Sequence, residues 1–486
     1  MNVVLFRRTE LSVPCCLLVL LLGACSHNAT DTSPDGGPDA PAYDTAVAAS
    51  DVAKPDSGIV EAGRDSVAKD QGGDAGVCDY SLTNPACWQS KQAGSFEDPF
   101  EPQSILFDGR TMYFLRSSGA DDYSTAYDTT TVGDFASPPK GAWSSFASDL
   151  SFQSLAFDGH YVYLLPTADI DRFNNDQPMD SIMKRLDPAK TSSTQSINLS
   201  KSFGTTAAPI PGFMGGAFDG RYLYFAPSAA GLNTSGIAAR YDTQADFTSA
   251  TSWSMFDLSK LWANAKGFEG GIFDGRYVYF VPCATTSVST SSDGVPSGLL
   301  VRFDSTADFQ DPKAWESFDT TAVDPAAVGF VGGTFDGRYV YLAPGWSSYS
   351  KSLAVRFDST GPFASASSYS TFNIPSLSTS SWSDSHSYRG ATFDGKYVYF
   401  SPSSGDLLAR FDSSGDFTSK AAWQAYDLSY LTFTEANSYS DFGDYYGGIG
   451  FDGRYVYVVS NATNSLYRFD TKASPSLPPL LTKSFL

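Results

Sequence analysis

The stretch FDGRYVYF, Phe273–Phe280, decides the fold, because close copies of it return along the chain. Copies begin at Phe107, Phe157, Phe218, Phe335, Phe393 and Phe451 as well, spaced 50 to 62 residues apart. In each, an Asp-Gly pair separates two apolar runs, which is the strongest short-range signal for a β-hairpin. The pair predicts a type I′ turn with positive φ at both Asp274 and Gly275. A period of this length with no helical pattern inside it marks a repeat architecture.

Working outward from Phe273, the unit reads as four strands. GGIF is strand a, RYVYFVP strand b, GLLVRFD strand c and AWESFDT strand d. Pro282 closes strand b where no further ladder donor is needed. Strand c ends in Asp in every unit, at Asp128, Asp187, Asp242, Asp304, Asp358, Asp412 and Asp470. An aromatic opens most d strands, as at Trp143, Trp253, Trp315, Tyr369 and Trp423. Seven such units predict an all-β chain, a seven-bladed β-propeller of four-stranded antiparallel blades. Blades covered on both faces also account for the 15% aromatic content.

The unit resembles the kelch repeat, with its Tyr-containing strand b, acidic end to strand c and Trp opening strand d. The resemblance implies the propeller fold from about residue 90 onward. It departs from kelch at one place: a Gly pair closes strand b there, whereas FAP, FVP, LAP or FSP stands here and the Gly pair precedes strand a. Two segments compete for strand d of the seventh blade, ACWQSKQ near Trp88 and LLTKSFL at the C-terminus. Spacing leaves both open.

Three residues before each motif Phe stand Ser104, Ser154, Gly215, Gly270, Gly332, Gly390 and Gly448. With strand a innermost, small residues let seven backbones converge on the axis. One residue earlier the repetition stops, at Gln103, Gln153, Met214, Glu269, Val331, Arg389 and Gly447. Function or irregular loop packing belongs at that variable position.

The N-terminus carries Arg7 and Arg8 ahead of LSVPCCLLVLLLGAC, an apolar run too short for a stable membrane span. It reads as an export signal. Leu22-Gly23-Ala24-Cys25 resembles the lipobox of bacterial lipoproteins, which implies removal of residues 1–24 and a lipid-bearing Cys25. Ser26 resembles the outer-membrane sorting default, so the expected location is the cell envelope, as an outer-membrane or cell-surface lipoprotein. Residues 25–77, rich in Asp, Ala, Pro and Gly, cannot bury enough apolar surface to order themselves and read as a disordered tether. Its average span is about 40 Å. The propeller is expected over residues 78–486. An oxidising compartment favours a Cys78–Cys87 disulfide, and Cys283, after an apolar strand, reads as a buried, inert thiol.

A formal net charge of -21 repels nucleic acid and anionic membrane surfaces. The two-residue a-to-b turns predict one nearly bare face, with the long b-to-c and d-to-a loops opposite. Those loops, ahead of blades six and seven, gather Trp382, His386, Tyr388, Arg389, Asp441, Tyr445 and Tyr446. Aromatic faces beside carboxylates and Arg suit a sugar or a peptide, and with Glu269 they form the candidate ligand-binding set. No metal or cofactor is expected. A copper oxidase of the kelch-type galactose oxidase kind needs convergent His and Tyr ligands, and His27, His160 and His386 fall too far apart in the repeat scheme to supply them. A sialidase needs an arginine cluster and different repeats. The seven Asp-Gly aspartates fall one per blade, each used by its turn. The expectation is a lipid-anchored propeller that binds carbohydrate or an extracellular protein. Its rivals are a polysaccharide-active enzyme using Glu269 and Asp441 as paired carboxylates with His386, and a structural envelope component.

Overall fold

In the computed structural model, the described part of the chain lies within residues 78–471, outside 93–101, 117–122, 148–151, 167–169, 172–176, 179–180, 191–192, 204–209, 211, 229–233, 287–293, 346–350, 379–386, 432–445 and 461–464. The signal, lipobox and tether fall outside it. The described residues form seven four-stranded antiparallel blades in a ring, each ordered a-b-c-d from the axis outward. Blade four is representative: Phe268–Phe273, Tyr277–Pro282, Leu299–Asp304 and Trp315–Asp319.

Strand b is buried on both faces, so its alternating side chains feed two different cores. Tyr279 and Val281 pack with Leu342, Phe357 and Phe363 of blade five. Val278 and Phe280 pack with Tyr224 and Ala226 of blade three. One strand thus glues a blade to both neighbours, which is why its sequence repeats so strictly.

The turn differs from the expected type. Gly275 has φ +100°, but Asp274 is not among the residues with positive φ. Asp274 instead caps the turn: Oδ1 accepts from the amides of Arg276 at 2.8 Å and Tyr277 at 2.6 Å. Oδ2 accepts from the Tyr279 hydroxyl at 2.6 Å. A carboxylate that can replace backbone acceptors removes the need for left-handed backbone at Asp. The same triple bond set recurs at Asp108, Asp158, Asp219, Asp336, Asp394 and Asp452.

The motif Arg and the terminal Asp of strand c are partners, with Arg276 Nη2 2.7 Å from Asp304 Oδ2. Arg110–Asp128, Arg221–Asp242, Arg338–Asp358 and Arg454–Asp470 repeat the pair. The second arginine, Arg302, lies between the rings of Tyr277 at 3.9 Å and Phe363 of blade five at 4.2 Å, a cation–π bridge between blades.

The turn face is not bare, contrary to the sequence expectation. In a four-stranded meander the c-to-d links emerge beside the a-to-b turns, and they are long. In blade four Ser305 donates its amide to Arg276 O of the turn at 3.0 Å. The link then buries Phe309 and enters a 3-10 turn, Pro312–Ala314, capped by Asp311. Trp315 Nε1 donates back to Phe309 O at 3.2 Å. In blade one the corresponding Phe135 and Trp143 stand eight residues apart instead of six, and Trp143 Nε1 is left without that acceptor.

The N-terminal segment supplies strand d of blade seven. Trp88–Gln92 pairs with Ser465–Asp470, matching Trp88 to Phe469 and Gln92 to Ser465. Trp88 also stacks on Tyr426 of blade six, with ring centroids 5.5 Å apart. The C-terminal LLTKSFL lies outside the described residues. Cys78 and Cys87 are disulfide-bonded, and Cys283 is fully buried outside any disulfide.

Candidate functional site

The position where the repeat stops is a β-bulge. In blade four the register moves from Phe268↔Pro282 to Gly271↔Phe280, so Glu269 and Gly270 together face one residue of strand b. The same shift puts Met214–Gly215, Val331–Gly332, Arg389–Gly390 and Gly447–Gly448 in bulges. A bulge bends its strand and re-aims its side chains, which suits the crowded axis.

Glycine is required here by contact as well as by conformation. Gly270 has φ +130°, and a Cβ on it would stand 2.9 Å from the Gly332 Cα. A Cβ on Gly215 would stand 2.7 Å from the Gly270 Cα. Neighbouring inner strands therefore touch backbone to backbone. In blades one and two serine replaces glycine and bonds across the gap: Ser104 Oγ accepts from the Leu155 amide at 3.3 Å and Ser154 Oγ from the Gly215 amide at 3.0 Å.

Of the candidate ligand set, Glu269 is buried at 4% exposure, with Met214 and Val331 buried at the matching positions of the flanking blades. Arg389 is half-buried at the bulge of blade six. Glu269 and Arg389 sit two blades apart, in blades four and six. Tyr388 is fully buried in the core between blades five and six, with Tyr341, Phe372, Ile374 and Phe400. It holds the position just before the bulge, paired with a Pro of strand b, where other blades carry Phe152, Phe213, Phe268 and Phe330, and its hydroxyl finds no hydrogen-bond partner. Tyr388 is thus wall, not face, and aligning the repeats on that Phe is the signal that reveals it. Tyr446 begins strand a of blade seven. Trp382, His386, Asp441 and Tyr445 lie outside the described residues.

Among the described residues no group of three or more His, Cys, Asp or Glu side chains is placed to hold a metal ion. His160 replaces the motif Arg in blade two and sits edge-on to Tyr161 on the turn face, at 4.3 Å. That face also holds an open cleft of about 560 Å³ between blades five and six, lined by Asp336, Arg338, Tyr339, Arg356, Ser413 and Gly415. Its charges are already spoken for. Arg338 pairs with Asp358, Asp336 caps its turn, and Arg356 lies between Tyr339 and Phe417 with Nε on Ser370 Oγ at 3.3 Å.

No family model and no curated protein matches the chain. Several solved propellers are similar at low identity. A selenomethionine-substituted virginiamycin B lyase from Staphylococcus aureus is 11% identical at a TM-score of 0.49, over 79% of this chain and 98% of that one. The β-propeller domain of Cps50 (Swd1) from Myceliophteria thermophila is 10% identical at 0.45, over 78% and 99%. The WD40 domain of Pan2 from Neurospora crassa is 9% identical at 0.46, over 80% and 97%. Likeness at this level transfers neither activity nor ligand.

Proposed function

We propose that the chain is an exported, lipid-anchored propeller of the cell envelope that binds an extracellular carbohydrate or protein through its long-loop face. The observation that carries this reading is the unequal use of the two faces. On the turn face, repeated polar side chains are committed to the fold, the aspartates to turn amides and Tyr hydroxyls, the arginines to strand-c aspartates. The residues that escape the repeat, Glu269 and Arg389 among them, stand at the opposite ends of the inner strands, where the long loops arise. Regular positions hold the ring, and recognition is proposed where the repeat varies from blade to blade. Cys25 would attach the chain to the membrane, and the tether would hold the propeller off it.

A glycan array and a surface-protein pull-down with the chain from Ser26 onward test this directly. Specific retention that is lost on alanine substitution of Arg389 or Asp441 is expected. Turnover of a bound polysaccharide, abolished by Glu269→Ala or His386→Ala while binding persists, would establish the enzyme instead. Blank results in both screens would favour a structural envelope component.

A further inference from the structure

The segment that closes the ring is more than a spare strand. SLTNPACW, residues 81–88, repeats the c-to-d link DFQDPKAW, residues 308–315. The 3-10 turn Pro85–Cys87 is capped by Asn84 as Pro312–Ala314 is capped by Asp311. Trp88 Nε1 donates to Leu82 O at 2.9 Å, the bond that Trp253 makes to Phe247, Trp315 to Phe309 and Trp423 to Phe417, each six residues back. Gln89 Oε1 accepts from Arg468 Nε at 2.7 Å as Gln424 does from Arg410 at 2.8 Å. Residues 81–92 are therefore half a repeat, cut from its own strand c and moved to the other end of the chain.

The cut removes a covalent join. In blades four and six the link leaves strand c directly, and the strand's terminal Asp fixes it by accepting the amide and hydroxyl of Thr306 or Ser414. In blade seven strand c ends at Asp470 and the link arrives from Cys78 without that covalent tie. Leu82 also replaces the Phe that elsewhere packs against the Trp. In compensation, Cys78 is joined to Cys87, which is 2% exposed and holds the place of Ala314 and Ala422. Asp79 Oδ1 then accepts from the Ser81 amide and Asn84 Nδ2, both at 2.9 Å. Leu82, Cys87 and Trp88 pack as one body against Tyr426 and Leu428 of blade six and Val456, Val458 and Phe469 of blade seven.

We propose that the Cys78–Cys87 disulfide is a redox latch that shapes this half repeat and so decides whether blade seven closes the ring. Latching joins the two Sγ atoms; the two thiols release two protons and two electrons, taken by a thiol–disulfide oxidant whose own disulfide becomes a dithiol. With the thiols reduced, the half repeat detaches more readily, and strand c of blade seven is left as an open sheet edge. For a crosslink between residues nine apart in sequence, the lost loop-closure constraint corresponds to about a hundredfold in the docking equilibrium.

Hydrogen exchange on the full chain tests the latch in three states: oxidised, reduced with its thiols counted, and the double variant Cys78→Ser with Cys87→Ala. Alanine is chosen because Ala314 and Ala422 occupy the same position in intact links. Amides of Trp88–Gln92 and Ser465–Asp470 are expected to lose about a hundredfold of protection in the last two states, with Leu299–Asp304 of blade four unchanged. Unchanged protection at blade seven in the double variant overturns the latch. An equal loss in blade four overturns it too, since the disulfide would then be a general staple.

Discussion

The Tyr279 hydroxyl donates to Asp274 Oδ2 at 2.6 Å, tying the buried middle of strand b to the turn that begins it. Seven copies of this bond, 2.6 to 3.0 Å long, run round the ring. Tyr279→Phe removes the donor and strands a carboxylate oxygen in a half-buried place. The expected cost is about 1–3 kcal/mol in urea unfolding. Asp274→Asn keeps an acceptor for the two turn amides, and the double variant should cost less than the sum of the singles.

Burial first, and the Asp274 carboxylate second, pushes the Tyr279 hydroxyl far above its ordinary range, and the same holds for Tyr163, Tyr224, Tyr341 and Tyr457 with their own aspartates. The folded chain keeps these protons where the unfolded chain, at the ordinary value of 10.0, releases them. Their stabilisation is therefore full below that pH and falls as pH rises beyond it. Urea midpoints should hold steady up to about pH 9 and fall steeply above about pH 10, with less slope in Tyr279→Phe. A midpoint that stays level through pH 11 contradicts this.

The opposite sign governs the surface pairs. The hydrogen bond from Arg338 lowers the Asp358 carboxyl from 3.8 to about 2. Its contribution is present above the ordinary carboxylate value and is lost as pH falls toward 2. Arg338→Met should leave stability near pH 2 unchanged and lower it at neutral pH modestly, by about 1 kcal/mol or less for so exposed a pair, flattening the acid limb between about pH 4 and 2 by the same amount.

Two glycines separate conformation from contact. Gly337, the same turn glycine in blade five, has φ +103° with nothing within 4 Å of an added Cβ, so Gly337→Ala should cost only the backbone strain, about 1–3 kcal/mol. Gly270→Ala adds a clash with the Gly332 backbone to the same strain, worth about 1–3 kcal/mol more. Thermal unfolding of the two variants side by side gives the difference; equal costs would mean that the inner strands yield.

The blades were legible because FDGRYVYF performs the same physical task seven times, with Tyr279 and Phe280 facing opposite neighbours. The ring closure was half legible: ACWQSKQ shares Ala, Trp and Gln with AAWQAYD of blade six, but strand spacing left LLTKSFL open as well, and the preceding link, with Pro85 and Trp88 spaced as Pro312 and Trp315 are, is the signal that chooses between them. Asp274 misled on turn type because Asp-Gly signals a turn without saying whether the side chain or the backbone supplies the acceptor. Tyr388 misled because an aromatic beside long loops looks like a binding residue until the repeats are aligned on Phe268. The long loops carry no repeat, so they lack the internal comparison that made the strands legible.

The central claim is that one face builds the ring and the other recognises a ligand. Affinity for a ligand retained on the array, measured for paired variants on the two faces, tests it most directly. Arg276→Ala and Arg454→Ala on the turn face should bind within about twofold of the unaltered chain, because exposed ion pairs contribute little to the fold. Trp382→Ala and Asp441→Ala, in the long loops ahead of blades six and seven in the sequence, should weaken binding by about tenfold or more, as the loss of a central contact does. The reverse pattern, with affinity lost from the turn face and kept on the loop face, contradicts the account.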